Sequence, residues 1–330
     1  MKSISRRSFV AAGAGAVALG LAACGNSGNS GSSATTSAAD GEKSYKIGVL
    51  QLTQHAALDA ANEGFVAALD ASGINYTIDQ QNANNDQSAC STIASKLVGD
   101  NDDLIYVIAT PAAQAVAAAT TEIPIVGCAI TDYAASGLVA DNEKPGGNLT
   151  GTSDMNPVDD QIAMLQKVLP EAKHVGMLYC TAESNSLLQI EMAEAACDKA
   201  GLTHERFTVS SSNEVQSVVE SMVGKVDAGY SPTDNTIAAA AAQIGQICKE
   251  GKLPFVTGEE NMCMGMGICT LSIDYTELGK MAGEMAVKIL TEGADPADMA
   301  IESESGDQLK VIKNEEMAEA LGIDLSVLDA

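Results

Sequence analysis

The sequence predicts an α/β protein of two doubly wound parallel-sheet lobes joined by a hinge. From Tyr45 onward, short apolar runs alternate with amphipathic or alanine-rich stretches, the signature of parallel strands covered on both faces by helices. The alternation runs through twice, and segments of the second pass echo the first. The chain of 330 residues is long enough for two cores. Hydrophobic residues make up 46% of it but aromatics only 3%, with no Trp; the cores must be built from Ala, Val, Ile, Leu and Met.

In the first pass, "KIGVLQL" reads as a strand, "AALDAANEGFVAALDASG" as a helix, "NYTIDQQ" as a strand and "DQSACSTIASKLVG" as a helix. Strand "DLIYVIA", helix "PAAQAVAAAT" and strand "PIVGCAI" follow. After the turn "EKPGGN" and the strand "LTGTSD" comes helix "PVDDQIAMLQKVLP", strand "HVGMLYC", helix "NSLLQIEMAEAACDKAG", strand "HERFTV" and helix "SNEVQSVVESMVG". The second pass closes with strand "VDAGY", helix "NTIAAAAAQIGQICKEG" and strands "LPFVTG" and "GICTLSI". "KIGVLQ" corresponds to "KHVGMLY", and "LIYVIATPAAQAVAAA" to "DAGYSPTDNTIAAAAA". "DYTELGKMAGEMAVKILTEG" is a strong helix, and the remainder adds strands and a final helix. A chain that continues past a complete second lobe is expected to cross back, and several crossings make a hinge. The first lobe is therefore assigned residues 45–154 plus about 274–292, and the second residues 155–273 plus about 293–330.

Residues 1–23 have the form of an export signal: Lys2, Arg6 and Arg7, then an uncharged run from Phe9 to Ala23, too short to span a bilayer comfortably. "SRRSFV" resembles a twin-arginine signal and "LAAC" a lipobox, in which Cys24 is lipidated and becomes the new N-terminus. "GAGAVALG" imitates a glycine-rich nucleotide loop, but no strand precedes it. Residues 24–44 are mostly Gly, Ser, Asn, Ala and Thr, a flexible tether from a membrane surface.

A net charge of −26 repels phosphate backbones, which argues against a nucleic-acid partner. Seven cysteines remain besides Cys24, with no CxxC spacing, and they read as small core residues. "NMCMGMGIC" offers soft sulfur ligands that would suit Cu(I), but Met and Cys also fill a core beside a strand. GxSxG, HExxH and Walker motifs are absent, no cofactor is expected, and catalysis has no support beyond a possible His55–Asp59 pairing one helical turn apart. A sugar-type repressor would share the lobes but needs a helix-turn-helix, which is lacking.

In open parallel sheets ligands bind beyond the carboxyl ends of the strands, where helix N-termini offer bare N–H groups. Those ends carry Gln51, Thr53, Gln54, His55, Thr110, Thr131, Asp132 and Tyr133 in the first lobe. In the second they carry Tyr179, Asn185, Ser186, Ser231, Thr233, Asp234, Asn235, Glu259 and Glu260. Helix capping explains about half of these, but not Gln51, Tyr133, Tyr179 or Glu259. Hydroxyls, amides, a few carboxylates and sparse rings suit a small zwitterion. Asp234 or Glu259 would hold its ammonium; N–H groups after Thr110, or at Asn235, its carboxylate.

"KIGVLQLTQHAALDAANEGF", "GLVADNEKPGGNLTGTSD", "HVGMLY…NS", "YSPTDN" and "DYTELGKMAGEMAVKIL" together resemble the bacterial ABC-transporter substrate-binding proteins related to tryptophan and tyrosine binders, from Lys46 to the C-terminus. The resemblance implies a type 1 periplasmic-binding-protein fold that captures an amino acid, of the aromatic class its relatives are associated with, and delivers it to an ABC permease with a separate ATPase, without catalysis. It favours Gln51, Thr110, Asn185, Thr233, Asp234 and Asn235 as ligand contacts, together with Tyr133, Tyr179 and Glu259. Two positions depart from the family pattern: Ala56 follows His55, and Tyr133 follows Asp132, where proline is usual. A tyrosine at the second would stack on an aromatic ligand or fill its space.

Overall fold

The computed structural model describes residues 43–329; residues 1–23, expected to be an export signal, and Cys24 lie outside them. The first sheet takes β1 (Ser44–Gln51), β2 (Asn75–Asn82), β3 (Leu104–Ile108), β4 (Ile125–Ile130) and β5 (Leu149–Ser153). Between them run α1 (Ala56–Ser72), α2 (Gln87–Gly99) and α3 (Thr110–Ala119). The second sheet takes β6 (His174–Cys180), β7 (Thr203–Val209), β8 (Ala228–Ser231), β9 (Phe255–Thr257) and β10 (Cys269–Ser272). Its helices are α4 (Val158–Val168), α5 (Ser184–Ala200), α6 (Val215–Met222), α7 (Asn235–Ala239), α8 (Ala241–Gly251) and α9 (Glu260–Met266). The chain ends with α10 (Tyr275–Glu292), β11 (Glu302–Ser303), β12 (Lys310–Lys313) and α11 (Glu315–Leu321).

Strand order is β11-β5-β4-β3-β1-β2 in one sheet and β12-β10-β9-β8-β6-β7 in the other, so the five strands of each pass take equivalent places. Every pairing is parallel except β10 with β12. The central strands β3 and β4 are buried throughout, as strands covered on both faces must be, and the edge strands β2 and β7 carry the polar positions.

Two elements differ from the sequence reading. The alanine-rich helix after β8 is broken at Ala240 (φ −103, ψ 3) into α7 and α8. "ENMCMGM" is the helix α9, capped by the Glu259 side chain on the N–H groups of Asn261 and Met262, and, Met264 apart, its Met and Cys side chains fill the core as expected. Met262, Cys263 and Met266 are buried by it while Met264 is exposed. All seven described cysteines are buried and unpaired.

The chain crosses between lobes three times, after β5, after β10 and after β11. The last crossing falls later than the expected position near residue 293: Glu302 and Ser303 pair with Thr152 and Ser153. The segment before them is held to the first lobe by Thr150 Oγ1 donating to Met299 O (2.7 Å) and Ile301 N to Asn142 O (2.7 Å). The crossings are tied together: Ile273 N donates to Asn156 Oδ1 (3.2 Å), and Asp274 N to Glu304 Oε2 (2.7 Å). Helix α10 lies backbone-close on α1, since a Cβ at Gly279 would stand 1.9 Å from Ala61 O and one at Gly64 2.0 Å from Thr276 O. No described helix is long and apolar enough to cross a membrane.

Candidate functional site

The strand ends of the two lobes face one another across a small polar cavity. His55, Leu58, Ala129, Asp154 and Tyr275 line it from the first lobe and its crossings, and Asn185, Thr233, Asp234, Asn235, Ala238, Glu259 and Met262 from the second. The lobes also bond directly across the cleft: His55 Nε2 to Asn235 Oδ1 (3.1 Å), Asn85 Nδ2 to Thr236 Oγ1 (2.9 Å), Gln87 Nε2 to Ala182 O (2.9 Å) and Gln189 Nε2 to Thr131 Oγ1 (3.3 Å).

Helix ends decide the electrostatics of the two walls. In the second lobe the N-termini of α7 and α9 are filled by its own carboxylates, whereas α5 begins at Glu183 without a side-chain cap. Glu183 accepts from Asn235 N (3.1 Å), Asn235 Nδ2 (2.6 Å), Thr236 N (2.9 Å) and Thr236 Oγ1 (2.9 Å). Asp234 accepts from Cys180 N (2.6 Å), Ser186 Oγ (2.8 Å) and Ile237 N (2.9 Å), and Glu259 from Met262 N (2.6 Å) and Asn261 N (2.7 Å). In the first lobe, α1 begins at His55 and α3 at Ala109, both without a side-chain cap. Ala109 (φ 84, ψ 150) sits in a region essentially reserved for glycine, and Ala129 (φ 55) is left-handed; strain of this kind gathers at functional sites. Beside the cavity α1 thus offers bare N–H groups and about half a positive charge, while α7 and α9 have theirs taken.

Asp154 differs from the other carboxylates because it caps no helix. Its side chain accepts from two hydroxyls, Thr131 Oγ1 (3.2 Å) and Tyr275 Oη (2.7 Å). Burial pushes it up to about 6. Burial likewise pushes Glu259 up to about 7, and burial followed by the Glu183 charge pushes Asp234 up to about 8. Burial holds His55 below the usual imidazole value.

Of the residues singled out in the sequence, Asn185, Thr233, Asp234, Asn235 and Glu259 reach the cavity, and Ser186 sits behind them on Asp234. Gln51 Nε2 instead donates to Thr53 O (2.8 Å) and Asp59 Oδ1 (2.7 Å), fixing the turn from β1 into α1. Asp59 is therefore Gln51's partner, and His55 pairs with Asn235. Thr110 is buried as the first residue of α3, outside the cavity lining.

Tyr133 neither stacks at the cleft nor fills it. Gly127 and Gly151 lie opposite each other in register and leave a slot in which Tyr133 Oη donates to Thr152 O (3.0 Å); a Cβ at Gly151 would come within 2.5 Å of that oxygen. Tyr179 lies in the core with Val175 and Met177, its hydroxyl accepting from Arg206 Nη1 (3.4 Å), because alternation along β6 turns it sideways. His55, Asp154, Tyr275 and Met262 also line the cavity, though none is among the contacts the resemblance favours, and Glu183 holds Asn235 and Thr236 behind it. For Asp154 the available signal was its place at a lobe crossing, just beyond a strand end.

The model of the family described as ABC transporter substrate binding protein matches residues 46–327. A tyrosine-binding protein of Clostridioides difficile (strain R20291) is 37% identical over 325 residues, covering 97% of this chain and 93% of that one. The crystal structure of an ABC domain in complex with L-Trp from Streptococcus pneumonia overlays with a TM-score of 0.83 at 39% identity, covering 87% of this chain and 98% of that chain. The ligand-free, open structure of a substrate binding protein with adhesive properties from Clostridium difficile is as similar in sequence, at 40%, over 85% of this chain and 95% of that chain. Its TM-score is only 0.65. In this structure the two lobes are joined across the cleft by the four bonds given above. By fold, paired lobes and family match, the chain belongs to the ABC transporter substrate-binding protein family.

Proposed function

We propose that this protein is an extracytoplasmic lipoprotein that takes up an aromatic amino acid between its lobes and hands it to an ABC permease. The observation that carries the reading is the asymmetry of the two walls. A zwitterion needs N–H donors for its carboxylate and acceptors for its ammonium. The uncapped first turn of α1, where His55 and Leu58 line the cavity, supplies the donors. The N–H groups at Asn235, the alternative place for the carboxylate, are taken by Glu183.

Asp234 and Glu259 are committed to α7 and α9, so the ammonium falls to Asp154, the cavity carboxylate with no helix end to offset its charge. Leu58, Ala238, Met262 and Tyr275 supply the apolar surface for a ring. The tyrosine-binding relative and the neighbour in complex with L-Trp support an aromatic side chain. Contacts made by both lobes exist only when the cleft is shut, so ligand shifts the population toward closure. Cys24, in the "LAAC" motif, would carry the lipid that keeps the protein at the membrane.

A thermal-shift screen of the twenty amino acids on residues 41–330, followed by calorimetry, tests the reading. Tyrosine, tryptophan or phenylalanine should raise the melting temperature; stabilisation by a sugar or nucleobase with none by any amino acid would overturn it.

A further inference from the structure

His55 stands at the rim of the cleft, half-buried as a residue, with its Nδ1 closed off from solvent and without a partner. The neighbouring bonds fix its protons. Asn235 Nδ2 must be the amide atom 2.6 Å from Glu183 Oε2, because a carboxylate only accepts; its Oδ1 therefore faces His55 and also only accepts. The His55 proton consequently sits on Nε2, and Nδ1 holds a bare lone pair. Burial disfavours a second proton there.

Asn185 shows the same logic: Nδ2 donates to Thr233 O (3.1 Å), leaving Oδ1 as an acceptor, buried and without a partner. In both cavity-lining residues that carry an unpartnered buried side-chain atom, that atom is thus an acceptor. An unmet buried acceptor is costly, and a ligand that supplies its donor recovers that cost.

Building on the amino-acid reading above, we propose that His55 is a ligand contact that sets specificity for a free α-ammonium group, its bare Nδ1 accepting one ammonium N–H while Asn185 Oδ1 and the Asp154 carboxylate accept the other two. An ammonium carries three donors, and these are three acceptors drawn from both lobes and a crossing. The same imidazole donates through Nε2 to Asn235 on the opposite lobe. One ring thereby recognises the ammonium and latches the cleft, and the tautomer required for either contact is the one required for the other.

The test uses calorimetry on the wild type, His55→Gln and His55→Asn, each titrated with L-tyrosine and L-tryptophan and with their des-amino analogues, 3-(4-hydroxyphenyl)propionate and 3-indolepropionate. Gln reproduces the Nε2 donor and drops the Nδ1 acceptor; Asn does the reverse. The wild type should prefer the amino acid over its des-amino analogue. His55→Gln should lose about 10- to 100-fold of affinity for the amino acid while leaving the analogue within a few-fold, shrinking the preference, and His55→Asn should recover part of it.

A merely structural His55 would weaken both ligands alike, and that result overturns the assignment. The histidine nitrogen resonances of the wild type, which has three histidines, give an independent reading: His55 should show the Nε2–H tautomer, with its Nδ1 signal moving on saturation with L-tyrosine. An Nδ1–H tautomer, or an Nδ1 signal that saturation leaves in place, also overturns it. If the wild type binds neither amino acid, the amino-acid reading fails and takes this inference with it; if it binds and His55→Gln keeps the preference, only the His55 assignment is lost.

Discussion

Asp154→Asn separates ligand binding from folding at one position. Asp154 is buried, with 4% of its surface exposed, and accepts from Thr131 and Tyr275, two hydroxyls that can turn. Its carboxyl is raised from 3.8 to about 6 by burial, which corresponds to roughly 3 kcal/mol against the ionised form in the native state. The native pKa lies above the unfolded one, so the native state keeps a proton that the unfolded chain has released. Stability from this group is therefore fully present below about pH 4, falls as pH rises through about 4 to 6, and is flat above.

Asparagine removes that loss. One hydroxyl must reverse, at about 1 kcal/mol, which leaves the ligand-free variant about 2 kcal/mol more stable than wild type at pH 7, a few degrees in melting temperature. The same change deletes the charge that meets the ammonium, worth about 1.5–3 kcal/mol, or roughly a 10- to 150-fold weaker Kd. Melting curves from pH 4 to 8 and calorimetry with L-tyrosine or L-tryptophan measure both. Unchanged affinity, or a stability loss at every pH, would refute the reasoning.

Asp234→Ala should do the opposite: it strands the Cys180 and Ile237 N–H groups and the Ser186 hydroxyl. It should cost about 2–4 kcal/mol in urea unfolding without ligand; a neutral result would show that the cap is not structural. Gly279→Ala brings a Cβ within 1.9 Å of Ala61 O, a backbone clash no rotamer relieves. It should lower stability by about 1–3 kcal/mol despite a helix-propensity gain of about 1 kcal/mol, and a variant as stable as wild type would count against the close α1–α10 packing. Tyr133→Phe should cost about 1 kcal/mol of stability through the lost bond to Thr152 O; more than a twofold change in ligand affinity would place that ring at the cleft after all.

Most of the fold was legible because parallel strands buried on both faces leave apolar runs that cannot be mistaken for loops, and β1, β3 and β4 are such runs. The break at Ala240 was hidden, since alanine favours helix on both sides and the kink is set by packing. Helix α9 was hidden for a related reason: Gly265 and Gly267 lower its propensity, and the glutamate that caps it was weighed as a ligand contact. At the site, residue type at a strand end identified the second-lobe wall, but not which atoms were free. Asp234 and Glu259 have the charge an ammonium needs, and only their bonds to α7 and α9 reveal that it is committed. Tyr133 was misplaced because its slot is made by two glycines distant in sequence, Gly127 and Gly151, that meet through register.

A crystal structure of residues 41–330 grown with L-tryptophan or L-tyrosine tests the wall asymmetry most directly. The amino acid should lie between the lobes with its carboxylate on the first turn of α1 and its ammonium against Asp154. A ligand turned end for end, with its carboxylate on the α7 or α9 N-terminus, or one bound outside the cleft, would contradict it.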